Sequence, residues 1–212
     1  MKKYIAEGIG TFFLVFGYVL ATNNGDIALM APLVTGLALT AMTYAGAHIS
    51  GAHFNPAVTL AMLMRGKIER NEAFYYPVAQ AAGALLAALL GGFLLRCGFA
   101  TDTHMFVHKN WICSMLAEFA GTFAWVYVAL LVTSAKNTSG NSNSGLAIGS
   151  VVAATGYLLG GVSGGLFNPA TVLGAIVTGM SSPADIPVFL VGDLLGAAAA
   201  ATAYQLVQDN EA

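Results

Sequence analysis

The triplet Asn55-Pro56-Ala57 returns as Asn168-Pro169-Ala170, inside the longer stretches SGAHFNPAVTL (Ser50–Leu60) and SGGLFNPATVL (Ser163–Leu173). Asparagine is a favoured helix N-cap and proline is favoured at the first helical position, so each triplet reads as a helix start. Such a start exposes backbone N–H groups and about half a unit of positive charge. Two starts that met would form an electropositive focus, and each carboxamide could donate a hydrogen bond into the gap between them. A neutral oxygen could accept those bonds. A cation would be repelled, and a water oriented by both amides could not readily relay a proton.

Two acids accompany the triplets. Glu7 and Glu118 sit in apolar runs, in the related stretches AEGIGTF (Ala6–Phe12) and AEFAGTF (Ala117–Phe123). An ionisable group inside a membrane segment is costly and is usually paired or functional. A proton relay is one reading. Their symmetric occurrence favours the other, that each accepts hydrogen bonds from irregular backbone ahead of a helix start. His48 and His53 flank the first of these turns, five residues apart and without a nearby carboxylate or cysteine, so hydrogen-bonded buttressing or gating is expected over metal binding. His104 and His108, with Asp102 near, lack a full ligand set and are expected in a solvated loop. No metal, cofactor or nucleic-acid partner is expected.

The elements that position these residues follow from composition. Of 212 residues, 57% are hydrophobic and 8% charged, against about a quarter charged in soluble domains. With a mean hydropathy of +0.73 this is an integral membrane protein. A bilayer core needs about 20 apolar residues per helix, and six segments approach that: 4–22, 31–48, 72–95, 111–133, 145–162 and 185–207. Two apolar stretches near 55–64 and 168–179 are too short to cross, and each begins at Asn-Pro. Matched short segments in two halves point to a pore or binding site at the midplane. The first span opens like a signal peptide, but Glu7 interrupts its apolar run and no clear cleavage site follows, so it is expected to be retained.

The repeat places Ala117–Phe123 111 residues after Ala6–Phe12, and Asn168 113 residues after Asn55. Gln80–Ala88 (QAAGALLAA) returns as Asp193–Ala201 (DLLGAAAAA), which pairs Gln80 with Asp193. The halves are therefore roughly 1–108 and 109–212 of a single domain, 1–212. Three spans per half invert the second copy, so the two short helices should enter from opposite faces. Gly83, Ala87 and Gly91, and likewise Gly192, Gly196 and Ala200, recur every fourth residue and predict close helix packing. Lys2, Lys3, Arg65, Lys67, Arg70 and Lys136 fall on one side of these spans and Arg96 and Lys109 on the other. By the positive-inside rule both termini are cytoplasmic. The linker Ser134–Gly145 reads as mobile, Cys97 and Cys113 as unpaired thiols, and Tyr4, Tyr18, Trp111 and Trp125 as interface anchors or packing residues. The compact ends suggest a bacterial inner membrane.

The stretches AEGIGTFFLVFG, GAHISGAHFNPAVTLA, AEFAGTF and SGGLFNPATVLGA resemble those of the aquaporin, or major intrinsic protein, family, and the resemblance covers nearly the whole chain. It implies an all-α fold of six tilted transmembrane helices and two re-entrant half-helices, a pore within each subunit and a homotetramer in the lipid bilayer. It also implies that Glu7 and Glu118 brace the re-entrant loops. Family members pass water and, in many branches, glycerol, urea, ammonia or metalloid hydroxides.

One departure bears on what passes. In the family an arginine normally follows the second Asn-Pro-Ala and forms an outer constriction with three other positions. Ungapped alignment puts these four on Thr35, Gly156, Gly165 and Thr171, so the arginine is absent. Losing a guanidinium removes a fixed charge and several donors, and small side chains should leave a wide pore for water and larger neutral solutes. Refilling of the gap by Tyr157, Phe167 or a loop side chain would leave an ordinary water channel instead. An ion-coupled secondary transporter shares inverted repeats and broken helices but would need a coupling-ion site. An integral membrane enzyme ranks last, since no catalytic or phosphate-binding motif is visible.

Overall fold

The computed structural model describes residues 1–99, 110–138 and 140–208. Among these the chain is helical, with eight α-helices: α1 (Lys2–Asn23), α2 (Ala31–Ser50), α3 (Pro56–Met64), α4 (Arg70–Leu94), α5 (Trp111–Ser134), α6 (Ser144–Ser163), α7 (Pro169–Val177) and α8 (Ile186–Gln208). Six of them are long and apolar enough to cross a membrane; α3 and α7 are not. His104, His108, Asp102 and Lys109 lie outside the described residues.

Side-chain size is sorted inside out relative to a soluble bundle. Ala84, Ala87 and Ala88 of α4 are buried, as are Ala197, Ala200 and Ala201 of α8, while Leu86, Leu89, Phe93, Leu195 and Leu206 are exposed on the same helices. Lipid tails are as apolar as leucine, so helices associate through close packing of small residues rather than by hiding large ones. The expected small-residue seams do this. A Cβ on Gly83 would fall 2.2 Å from the Gly8 carbonyl oxygen, and one on Gly196 would fall 2.5 Å from that of Phe119. Through these seams α4 lies on α1 and α8 on α5, and α2 lies against α6 across the halves.

Each half-helix packs on the last span of the opposite half, α3 on α8 and α7 on α4. The far end of α3 reaches the ends of α5 and α8: Ser134 Oγ lies 3.8 Å from Met62 Sδ, and the Arg65 guanidinium 5.3 Å from the Tyr204 ring centre. The far end of α7 reaches the end of α1, where Asn23 Nδ2 lies 3.2 Å from Met180 Sδ. An odd number of crossings separates the end of α1 from the ends of α5 and α8, so the half-helices run toward opposite faces.

The linker between α5 and α6 was expected to be mobile. Its described residues are instead tied to the end of α5, by Thr138 Oγ1 to the Leu131 carbonyl at 2.6 Å and Asn141 Nδ2 to the Val132 carbonyl at 2.7 Å. Short polar side chains satisfy the carbonyls that a helix C-terminus leaves unpaired. Cys97 and Cys113 are free and exposed.

A candidate pore where two half-helices meet

The repeated Ser-Gly explains how each span gives way to a half-helix. α2 ends at Ser50 and α6 at Ser163, and the following Gly51 (φ 87°) and Gly164 (φ 96°) take the left-handed conformation that caps a helix. Four residues later an asparagine starts the next helix. Asn55 Oδ1 accepts from Ala57 N at 2.8 Å and Asn168 Oδ1 accepts from Ala170 N at 2.9 Å, with Pro56 and Pro169 in the first turn.

The turns between cap and half-helix are irregular and carry positive φ at Ala52 (54°), Phe54 (50°), Gly165 (68°) and Phe167 (47°). Non-glycine residues hold such a conformation only where their surroundings impose it. The two glutamates supply that restraint with the same geometry. Glu7 Oε1 accepts from Ser50 Oγ (2.6 Å) and His53 N (3.0 Å), and its Oε2 accepts from Phe54 N (2.7 Å) and Gln80 Nε2 (2.7 Å). Glu118 Oε1 accepts from Ser163 Oγ (2.5 Å) and Leu166 N (3.2 Å), and its Oε2 accepts from Phe167 N (2.6 Å). Both acids are fully buried.

The half-helix starts are clasped to each other. Asn55 Nδ2 donates to the Phe167 carbonyl at 2.9 Å, and Asn168 Nδ2 donates to the Phe54 carbonyl at 3.0 Å. An amide nitrogen carries two hydrogens; one of each closes the clasp. Both asparagines are fully buried, so the waist is tight. On one side of it lies a cavity of about 230 Å³ lined by Thr35, Gly156, Gly164 and Gly165 among others. A second cavity, of about 670 Å³, is lined by Gly51, Ala47, Lys136 and Asn141 among others. The repeat-related caps Gly51 and Gly164 thus face different cavities, with the clasp between.

A waist flanked by two cavities, inside an inverted repeat of three spans and a half-helix, sets the comparison with known proteins. Residues 1–204 match the profile described as Major intrinsic protein. The chain belongs to the major intrinsic protein family. It is a passive membrane channel, not an enzyme. Among curated relatives it is 38% identical to the Glycerol uptake facilitator protein-like 6 of Lactiplantibacillus plantarum, over 95% of each chain. It is 36% identical to the Aquaporin NIP1-1 of Zea mays, over 98% of this chain and 75% of that one. Its fold is like that of the aquaglyceroporin from Plasmodium falciparum, with a TM-score of 0.84, 22% identity and coverage of 97% and 96%.

Within this channel, three of the four expected constriction positions, Thr35, Gly156 and Gly165, line the smaller cavity together. Thr171, in the first turn of α7, is almost fully buried and is not among the residues lining it. Two of the glycines also serve packing. A Cβ on Gly156 would fall 2.8 Å from Pro32 Cβ, and Gly165 has a left-handed backbone. Tyr157 lines the same cavity, whereas Phe167 is fully buried. His53 is buried, with Nδ1 3.1 Å from Thr59 Oγ1 and its ring against Tyr76. His48 stands exposed on α2, and among the described residues no hydrogen bond joins it to the turn; Ser50 and Gln80 occupy the bracing positions instead. Sequence reasoning passed over Ser50 and Ser163, and took Tyr18, whose hydroxyl donates to the Gly164 carbonyl at 2.9 Å, for an interface anchor or packing residue. The repeated Ser-Gly was the available signal for the serines; nothing local marks Tyr18.

Proposed function

We propose that the channel passes water together with larger uncharged polar solutes, of which glycerol, urea, ammonia and neutral metalloid hydroxides are the candidates, through an outer constriction without a fixed positive charge. The observation that carries this reading is the smaller cavity. Its wall combines Thr35 and five glycines, Gly156 and Gly165 among them, with Tyr18, Thr22, Pro32 and Tyr157, and among the described residues no basic side chain lines it. Pore width and the donors lining it decide which neutral solutes enter. The names of the Lactiplantibacillus relative and of the Plasmodium neighbour, a glycerol uptake facilitator protein and an aquaglyceroporin, agree with passage of more than water. The asymmetry of basic residues supports cytoplasmic termini, and the family resemblance supports a homotetramer.

A water-selective channel is the second reading. It is favoured by the full burial of Asn55 and Asn168 and by Tyr157 at the cavity wall. Stopped-flow light scattering on proteoliposomes under glycerol, urea and impermeant-osmolyte gradients separates the two. Solute-driven re-swelling supports the wide pore; a response to the impermeant osmolyte alone removes it. Thr171→Arg, which places a guanidinium directly after the second Asn-Pro-Ala, should lower solute flux.

A further inference from the structure

The two braces differ at one repeat-related position. In the first half, Gln80 of α4 donates its amide to Glu7. In the second half, Asp193 of α8 takes that place. α8 closes on α5 here: a Cβ on Gly192 would fall 2.9 Å from Glu118 Cβ, and the next residue, Asp193, accepts from Thr122, one turn beyond Glu118 on α5, so the two buried carboxyls are neighbours. An ionised carboxylate has no proton to donate, so two ionised groups could not hydrogen-bond to each other.

The neighbours offer no other remedy. Asp193 Oδ1 accepts from Thr122 Oγ1 of α5 at 2.8 Å, while Oδ2 is buried and accepts from no donor among the described residues. From α6, Ser163 donates to Glu118; from α1, the Tyr18 hydroxyl donates to the Gly164 carbonyl. No lysine, arginine or histidine pairs with either carboxyl among the described residues, where the ion pair is Lys3 with Glu72. His53 and Thr59 beside Gln80 are matched by Leu166 and Val172 in the second half, which can neither neutralise nor solvate a charge. Two adjacent, fully buried anions without a cation are strongly unfavourable, and one shared proton removes the conflict.

We propose that Asp193 is a positioning residue of the pore: it shares a single proton with Glu118, so that a neutral carboxyl does for the second re-entrant turn what the Gln80 amide does for the first. The influence runs from Asp193 to Glu118, to the N–H groups of Leu166 and Phe167, and through the Phe167 carbonyl to Asn55. The pair titrates as a unit. Raising the pH removes the shared proton, sets two anions against each other and loosens the turn that carries Gly165. The first turn carries a neutral amide, that of Gln80, where the second carries this acid.

The test compares the full-length wild-type channel with Asp193→Asn, which keeps a donor without the acid, and Asp193→Ala, which has neither, all reconstituted in lipid. The infrared difference between wild type and Asp193→Asn at neutral pH should contain the carbonyl stretch of a protonated carboxylic acid, shifted in deuterated buffer. Wild-type water flux should fall several-fold from neutral to alkaline pH, Asp193→Asn should stay level, and Asp193→Ala should be low throughout. A difference spectrum with carboxylate bands only, or the same pH profile in wild type and Asp193→Asn, would overturn the proposal. If Asp193→Ala fails to fold, the spectrum and the Asp193→Asn profile decide. The inference rests on the channel reading for its flux arm alone; the spectrum reports the proton whichever solute passes.

Discussion

Gly10 lies so close to the ring of Phe54 that a Cβ on the glycine would fall 2.1 Å from Phe54 Cε1. The repeat reproduces the pair: a Cβ on Gly121 would fall 2.2 Å from Phe167 Cε1. Each phenylalanine immediately precedes a clasping asparagine, and each backbone carbonyl accepts from the opposite asparagine. The glycines of the repeated Gly-Thr-Phe are therefore the sockets that hold the clasp in place. Gly10→Ala and Gly121→Ala should each destabilise the protein by about 1–3 kcal/mol, the usual cost of overpacking, and lower water flux. Thermal unfolding in detergent and proteoliposome shrinkage measure the two effects. Gly92→Ala is the control, since nothing lies within 4 Å of a Cβ there.

Removal of the first brace should be severe. Glu7→Ala leaves the N–H groups of His53 and Phe54 without their acceptor, and each unsatisfied buried donor costs about 1–3 kcal/mol. Ala52 and Phe54 would also lose the restraint on their left-handed backbone. A large drop in unfolding temperature with loss of flux is expected; an unfolding temperature equal to wild type would contradict the bracing role.

Thr35 offers the cleanest test of the constriction, because substitution at Gly156 meets Pro32 and at Gly165 meets a left-handed backbone. Thr35→Phe should lower glycerol and urea flux by about tenfold, the effect of roughly 1.4 kcal/mol on a barrier, while water flux falls less. Equal loss for all solutes would place Thr35 outside the selective part of the pore.

Proton exclusion should reside at the clasp, since no arginine follows the second triplet. Asn168→Asp preserves an N-cap acceptor for Ala170 N but puts a negative charge where the partial charges of two helix starts converge. A charge a few ångströms away is worth about 4 kcal/mol at an effective dielectric constant of 20, enough to open a leak to cations. Proton flux into vesicles carrying a pH-sensitive dye should be low for wild type and should rise in Asn168→Asp. A rapid wild-type leak would show that the clasp alone does not exclude protons.

Local chemistry by itself determined much of this protein. Six spans follow from runs of about 20 apolar residues. The two half-helices follow from apolar runs too short to cross, each headed by Asn-Pro with its capping preference. The inversion follows from three spans per repeat. These features depend on neighbours in sequence, which is why composition and spacing reveal them. The tertiary structure alone decided which side chains meet across long separations. Ser50 and Gln80 converge on Glu7 from 43 and 73 residues away, while His48, nearer to the turn in sequence than Gln80, is rotated to an exposed face of α2. Thr35, Gly156 and Gly165 share a cavity, but Thr171 is buried outside its lining. Rotation of one helix against another sets such outcomes, through small-residue seams where a single Cβ would collide with facing backbone, and no local pattern specifies that rotation.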